Sequence, residues 1–279
     1  MILASSTLSL VKRQVMAILN LTPDSFYAGS RHVAYEEVCR SVERAISEGA
    51  TIIDIGGYSS RPGAEHISVD EEWTRVKMGL EAVRSAEQGV VVSIDTFRSE
   101  IVRRAYEEFG EVIVNDISAG ELDEDMLKTV AELGLKYVAM HMRGTPKTMQ
   151  SLDQYPEGVV RGVCTYFVRR TEELTKAGIR KENIILDPGF GFAKSVEQNF
   201  ELLSELDKLC ELGYPVLVGL SRKSMIYRPL GITPEEALPG SLALAWEALR
   251  GGATILRVHD VEPTRQLVEL FNAYQNIVR

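Results

Sequence analysis

The chain has 279 residues, 45% of them hydrophobic and 25% charged, a composition that can fill a large globular core. Its formal net charge of -9 argues against nucleic acid or an anionic membrane as a partner, because the overall field repels both. Cys39, Cys164 and Cys210 lie far apart without a C-x-x-C pair, which points to inert thiols in a reducing, cytoplasmic compartment.

No apolar run reaches membrane-spanning length. At the start, the basic residues of "MILASSTLSLVKR" follow the apolar ones, the reverse of a signal peptide. A soluble protein is expected. Along the chain, short β-branched apolar runs recur: "VMAILN", "TIIDIGG", "VVSIDT", "VIVNDI", "YVAMHM", "NIILDPG", "PVLVGLS" and "TILRVHD". Most are continuous rather than alternating, as in parallel strands buried on both faces. Helix-period segments such as "EEVCRSVERAISEG" and "EEWTRVKMGLEAVRSA" separate them. Ser195 with Gln198, and Thr233 with Glu236 behind Pro234, read as capping boxes that start helices. Eight uninterrupted βα units predict an α/β chain folded as one (β/α)8 TIM barrel over residues 1–279. An open doubly wound sheet fits less well, since "NLTPDSF" after the first strand lacks the dinucleotide glycine fingerprint.

In such a barrel the carboxyl ends of all strands face one mouth. The polar residues there are Asn20, Asp54, Asp95, Asn115, His141, Asp187, Ser221 to Lys223, Arg257 and His259. Any one of them could merely form a turn, but a converging set is costly to bury without partners. "IIDIGGYSSRPGAEH" makes the point locally: a strand needs neither a carboxylate nor two glycines and an arginine to stop, so Asp54 and Arg61 are expected to hold something. Asp95, Asn115 and Asp187 can accept hydrogen bonds from an N–H-rich ligand. Arg61, Lys223, Arg257 and His259 can face an anion, with arginine as a fork and lysine as a point charge. The pattern predicts a heterocycle carrying phosphate. The four histidines are scattered, so no zinc site is indicated, whereas a hard cation arriving with a diphosphate fits. In "DPGFGFAKS", Gly189 and Gly191 let the backbone approach a flat ligand, and Phe190 and Phe192 either wall that ligand or belong to the core.

The motifs "ILNLTPDSF", "IIDIGGYSSRPGA", "SIDTFR", "VNDISAG", "DPGFGFAK", "GLSRKSM" and "LRVHDV", in this order, resemble those of the dihydropteroate synthase family over nearly the whole chain. The resemblance implies a usually dimeric pterin-binding barrel that joins 6-hydroxymethyl-7,8-dihydropterin diphosphate to p-aminobenzoate and releases diphosphate. By the same carry-over, Asp95, Asn115, Asp187 and Lys223 bind the pterin, Asn20 ligates magnesium, and Arg257 and His259 meet the diphosphate. Ser60 stands where the family has a substrate-contacting threonine. Arg61 and Pro62 shape the aminobenzoate pocket, Ser224 lies near that substrate's carboxylate, and Phe192 and Gly219 join the substrate-binding set. Asn20, Arg61, Asp95, Asp187, Lys223, Arg257 and His259 form the expected catalytic group.

Two positions depart from the family pattern: Tyr58 replaces a usual glutamate, and Ala28 a usual aspartate. Two rival readings share the barrel and its acids, a methyltetrahydrofolate:corrinoid methyltransferase and a non-catalytic pterin-binding paralogue. "SRPG" together with "SRKS" counts against the first, and the intact polar strand ends against the second.

Overall fold

Every apolar run becomes a parallel strand: β1 Gln14–Asn20, β2 Ile52–Gly56, β3 Val91–Asp95, β4 Ile113–Asp116, β5 Lys136–Met140, β6 Ile184–Asp187, β7 Leu217–Val218 and β8 Ile255–Val258. The structure, a computed structural model, describes residues 13–22, 31–59, 66–86, 89–144 and 152–278. The eight strands form one sheet in the order β6-β5-β4-β3-β2-β1-β8-β7. Its two edges meet through a parallel bridge between Leu186 and Val216, where the Leu186 N–H donates to the Pro215 carbonyl at 2.9 Å. The sheet is thereby a barrel, as the eight βα units predict.

Strand geometry divides its residues into two sets, because successive side chains point to opposite faces. Met16, Ile52, Ile113, Val138, Ile185, Leu217 and Ile255, from seven of the strands, pack on one another as an apolar floor inside the barrel. The β3 residue at this level is Ser93, fully buried with its hydroxyl lacking a hydrogen-bond partner. The alternate residues, among them Ala17, Ile53, Ile94, Val114, Ala139, Leu186 and Leu256, join the larger core beneath the helices. Those helices include α1 Arg31–Ser47, α2 Val69–Ser85, α3 Ser99–Phe109, α4 Met126–Leu133, α5 Val159–Lys176, α6 Val196–Ser204, α7 Leu206–Cys210, α8 Ser224–Leu230, α9 Leu238–Arg250 and α10 Val261–Val278. No helix among the described residues is long and apolar enough to cross a membrane.

Of the two capping boxes, the first forms as expected. Ser195 Oγ accepts from the Gln198 N–H at 3.2 Å and Gln198 Oε1 from the Ser195 N–H at 2.9 Å. The second does not start a helix. Glu236 does accept from the Thr233 N–H at 2.9 Å, but α9 begins only at Leu238. Pro239 explains the delay: it lacks the N–H that a helix begun at Pro234 would need there, yet it is tolerated in the first turn of α9.

The floor sets stability as well as direction. Leu217→Ala, at a fully buried floor position, is expected to lower stability by about 2–5 kcal/mol. Urea unfolding should give a lower midpoint with an unchanged slope; an unchanged midpoint would mean that the floor does not hold the barrel.

Candidate active site

Two residues beyond each floor position the same inward face continues, and there it turns polar. Ile52 is followed by Asp54, Ser93 by Asp95, Ile113 by Asn115, Ile185 by Asp187, and Ile255 by Arg257. Asn20 crowns β1, while Met140 and Gly219 occupy the corresponding places after β5 floor residue Val138 and β7 floor residue Leu217.

Arg257 crosses this layer. Its Nε donates to Asp54 Oδ2 at 2.6 Å and its Nη2 to Asp95 Oδ2 at 2.7 Å. Asn115 Nδ2 also donates to Asp54 Oδ2, at 3.0 Å, which leaves the amide oxygen as an acceptor. Asp54 is fully buried, and its Oδ1 has no hydrogen-bond partner. Burial pushes the Asp95 carboxyl up to about 7; Arg257 opposes the shift and the neighbouring Asp54 charge adds to it. The 22% of the Asp95 side chain that remains open to the mouth lets water temper that push.

Across the mouth, Asp187 Oδ1 accepts from the Gly189 N–H at 2.8 Å. Burial raises the Asp187 carboxyl, and the charge of Lys223 works against that rise. The Lys223 ammonium is lowered to about 8 by burial, opposed by Asp187. It hydrogen-bonds the Phe190 carbonyl and stands 4.9 Å above the Phe192 ring. Gly189 is required here: its φ is +67°, and a Cβ would lie 2.1 Å from the His141 carbonyl oxygen. Lys194 then clamps the turn by donating to the carbonyls of Gly189 and Phe192, both at 3.0 Å.

The loop after β7 is tied to the loop after β8. Arg222, at φ 56°, forks onto Asp260 at 3.0 and 2.6 Å, and Ser221 Oγ lies 3.0 Å from His259 Nδ1. These ties hold the loop that leads into α8, which Lys223 caps and Ser224 begins. Asn20 sits over β2, where a Cβ on Gly56 would come within 3.2 Å of Asn20 Oδ1 and 3.6 Å of Asp95 Cβ. At Gly219 a Cβ would reach only ordinary contact with Arg257, 3.8 Å from its Cβ.

Several sequence expectations change. Arg257, expected against an anion, is held between Asp54 and Asp95, because the closing barrel brings β8 beside β1, one strand from β2. His141, expected at the mouth, lies one residue past inward-facing Met140 and so turns to the other side. It meets Tyr166 edge-on at 4.9 Å and Lys194 Nζ at 3.0 Å, and burial holds its imidazole well below the usual range. The phenylalanines divide: Phe190 is fully buried core, whereas Phe192 is partly exposed against Ile117, Met140, Met142 and Ala193. Ser60, Arg61, Pro62 and Ala28 lie outside the described residues. Asp54, expected to hold something, accepts from Arg257 and Asn115. Sequence reasoning missed the Ile117–Met140 wall; counting in twos from floor residue Val138 would have found Met140.

The layer therefore presents acceptors (Asp95, Asn115, Asp187), one lysine donor and a flat apolar wall, an arrangement that grips a planar heterocycle by its N–H edge. The matching family model is that of the pterin binding enzymes, over residues 16–259, which spans β1 to the end of β8. The barrel and its mouth thus define a pterin-binding enzyme.

Among relatives, the dihydropteroate synthase of Haemophilus influenzae is 44% identical over 263 residues, 94% of either chain. A solved structure of Xanthomonas albilineans dihydropteroate synthase with 4-aminobenzoic acid superposes with a TM-score of 0.86 at 40% identity, covering 95% of this chain and 93% of that one. Another, in complex with 7,8-dihydropteroate, gives 0.84 at 38% identity over 96% and 95% of the two chains. This chain belongs to the dihydropteroate synthase family. It is a transferase.

Removing the bridge should expose its electrostatic role. Arg257→Ala leaves Asp54 and Asp95 facing each other and is expected to lower stability by about 3–5 kcal/mol, the usual penalty for breaking a buried pair. The deficit relative to wild type should shrink as pH falls through the Asp95 range, because protonation relieves the repulsion. Thermal unfolding at several pH values checks this; a pH-independent deficit would assign Arg257 a packing role instead.

Proposed function

We propose that this enzyme joins 6-hydroxymethyl-7,8-dihydropterin diphosphate to p-aminobenzoate, forming 7,8-dihydropteroate and diphosphate. The observation that carries this reading is the inward layer of Asp95, Asn115 and Asp187, with Lys223 beside Asp187, which matches a flat ring with several N–H groups and a carbonyl. The amine nitrogen attacks the pterin methylene carbon, the carbon–oxygen bond to diphosphate breaks with its electron pair leaving on oxygen, and the nitrogen releases a proton to solvent. The arylamine is neutral at pH 7, so no strong base is needed. What the protein supplies is placement of the ring and counter-charge for the leaving group. In this reading the carboxylates and Asn115 hold the ring edge, Phe192 walls its face, and Lys223 donates to it. His259 and Arg257 lie on the leaving-group side. Ser60, Arg61, Pro62 and Ser224 belong to the aminobenzoate side.

A magnesium ion is part of the proposal. No group of three or more His, Cys, Asp or Glu among the described residues is arranged as a metal site. A hard cation that arrives on diphosphate keeps most of its ligands from phosphate and water, so the single carboxamide oxygen of Asn20 fits it. Bound there, it would neutralise charge on the departing diphosphate. A cytoplasmic homodimer completes the reading. The partly buried, widely spaced free cysteines support the compartment. The exposed apolar side chains of Leu270, Tyr274 and Ile277 on α10 support the dimer.

The direct test incubates the purified chain with both substrates and magnesium, following dihydropteroate and diphosphate together. Equal release of the two products is expected; diphosphate release independent of p-aminobenzoate would refute the transfer. Asp187→Asn presents a donor to the ligand's donors, and pterin affinity should fall about a hundredfold by calorimetry. Unchanged affinity in the folded variant would remove Asp187 from the site.

The pH profile follows from the two shifted groups. Below about 7 Asp95 is protonated and loses acceptor capacity, and above about 8 Lys223 loses its charge. The profile of kcat/KM, which reports the free enzyme, should therefore be bell-shaped with limbs near these values. Asp95→Asn should abolish the acid limb in whatever activity remains, and an acid limb that persists would assign it elsewhere.

A further inference from the structure

Tyr58 follows the two glycines at the end of β2, and the backbone there is held hard against α2. A Cβ on Gly57 would meet the Glu72 carbonyl oxygen at 2.9 Å, and Arg75 donates to the Gly57 carbonyl at 3.1 Å. The side chain of Tyr58 therefore departs from a fixed point on the rim. Its ring meets Phe97 edge-on, with centroids 5.0 Å apart and planes at 83°. The Arg98 guanidinium stands 5.3 Å from the Tyr58 ring and 5.5 Å from the Phe97 ring, so all three groups form one stack.

That guanidinium has little freedom. It donates to Glu72 Oε2 at 2.8 Å and to the Ile67 carbonyl at 2.8 Å, while Thr96 Oγ1 donates to the other Glu72 oxygen at 2.6 Å. Glu72 is fully buried, so its two partners fix it in turn. The Tyr58 hydroxyl lies 3.3 Å from His66 Nδ1, which ties the stack to the residues leading into α2. A glutamate at position 58, as in the family motif, would offer Arg98 a second carboxylate and no ring.

Thr96, Phe97 and Arg98 directly follow Asp95, and Phe97, like Phe192, packs on the apolar wall of Ile117, Met140, Met142 and Ala193. The rings of Phe97 and Tyr58 thus carry that wall outward from the layer of Asp95 and Asp187 toward solvent. In the synthase reading the strand ends below belong to the ring-binding groups, which leaves this outer wall to the second substrate.

We propose that Tyr58 is a positioning residue for the aromatic amine substrate: through Phe97 it sets the outer end of the apolar wall against which the amine's ring lies during attack. The proposal rests on the synthase reading above. Released by Tyr58, Phe97 can withdraw from the amine's ring, and loss of one such aromatic contact corresponds to about a tenfold change in a binding constant.

The experiment varies both substrates in steady state and titrates the pterin separately by calorimetry. Tyr58→Ala is expected to raise KM for p-aminobenzoate about tenfold, with kcat and pterin Kd within about twofold of wild type. Tyr58→Phe keeps the stack and loses only the His66 contact, so it should return KM to within about threefold of wild type. An unchanged KM in Tyr58→Ala overturns the proposal. So does a parallel rise of KM and pterin Kd in both variants, which would mean a general loss of structure. Wild-type enzyme that forms no dihydropteroate would bring down the synthase reading and this proposal with it, whereas normal wild-type turnover with an unaltered variant defeats this proposal alone.

Discussion

Arg257, lodged between Asp54 and Asp95, is the contact on which the mouth of the barrel depends. Two inward carboxylates on neighbouring strands would repel strongly in a poorly hydrated interior, and each would tend to take up a proton. One guanidinium donating to both, at 2.6 and 2.7 Å, offsets that repulsion and links β8 to β2 and β3 across the barrel. Asn115 adds β4 by donating to the same Asp54 oxygen. The sheet's ladder holds adjacent strands together; this polar cluster holds the mouth in one shape. The remaining acceptors of Asp95 and Asn115 are thereby aimed before any ligand arrives, which is the condition under which hydrogen bonds to a ring edge contribute most to binding.

The opposite side of the mouth is built differently. There the loops after β6, β7 and β8 supply the functional groups, and each is pinned by contacts remote from the chemistry. Lys194 clamps the turn at Gly189, and Arg222 forks onto Asp260. Both anchors sit beside non-glycine residues in left-handed backbone, Ala193 at φ 49° and Arg222 itself at φ 56°. Such conformations persist only where the surroundings enforce them. Their position beside Phe192 and Lys223 fits loops whose shape is set by the placement of those two side chains. The burial that lowers the Lys223 and Lys194 ammonium groups follows from the same tight packing.

Much of this was legible in the residues. The continuous apolar runs declared parallel strands, the number of βα units declared closure, and the polar strand ends named most of the layer: Asn20, Asp54, Asp95, Asn115, Asp187 and Arg257. The family resemblance rested on the same positions and extended to reaction and substrates. Local chemistry was also sufficient where it acts within one turn, as for Ser195 and Gln198. It failed at Thr233, where the side-chain contact formed but a proline six residues on set the helix start.

Sequence alone determined the strands, the barrel and the kinds of group at its mouth, because those follow from period, composition and chain order. Only the tertiary structure decided which way each group faces and what it holds. Side-chain direction reverses at every residue of a strand, so a single step separates inward Met140 from outward His141. Partnership depends on closure: Asp54 and Arg257 lie 203 residues apart and meet only because β8 returns beside β1. Phe190 and Phe192 share one motif, yet the turn at Gly189 and Gly191 sends the first into the core and the second to the mouth. A chain of residues carries no record of such distances until the barrel shuts.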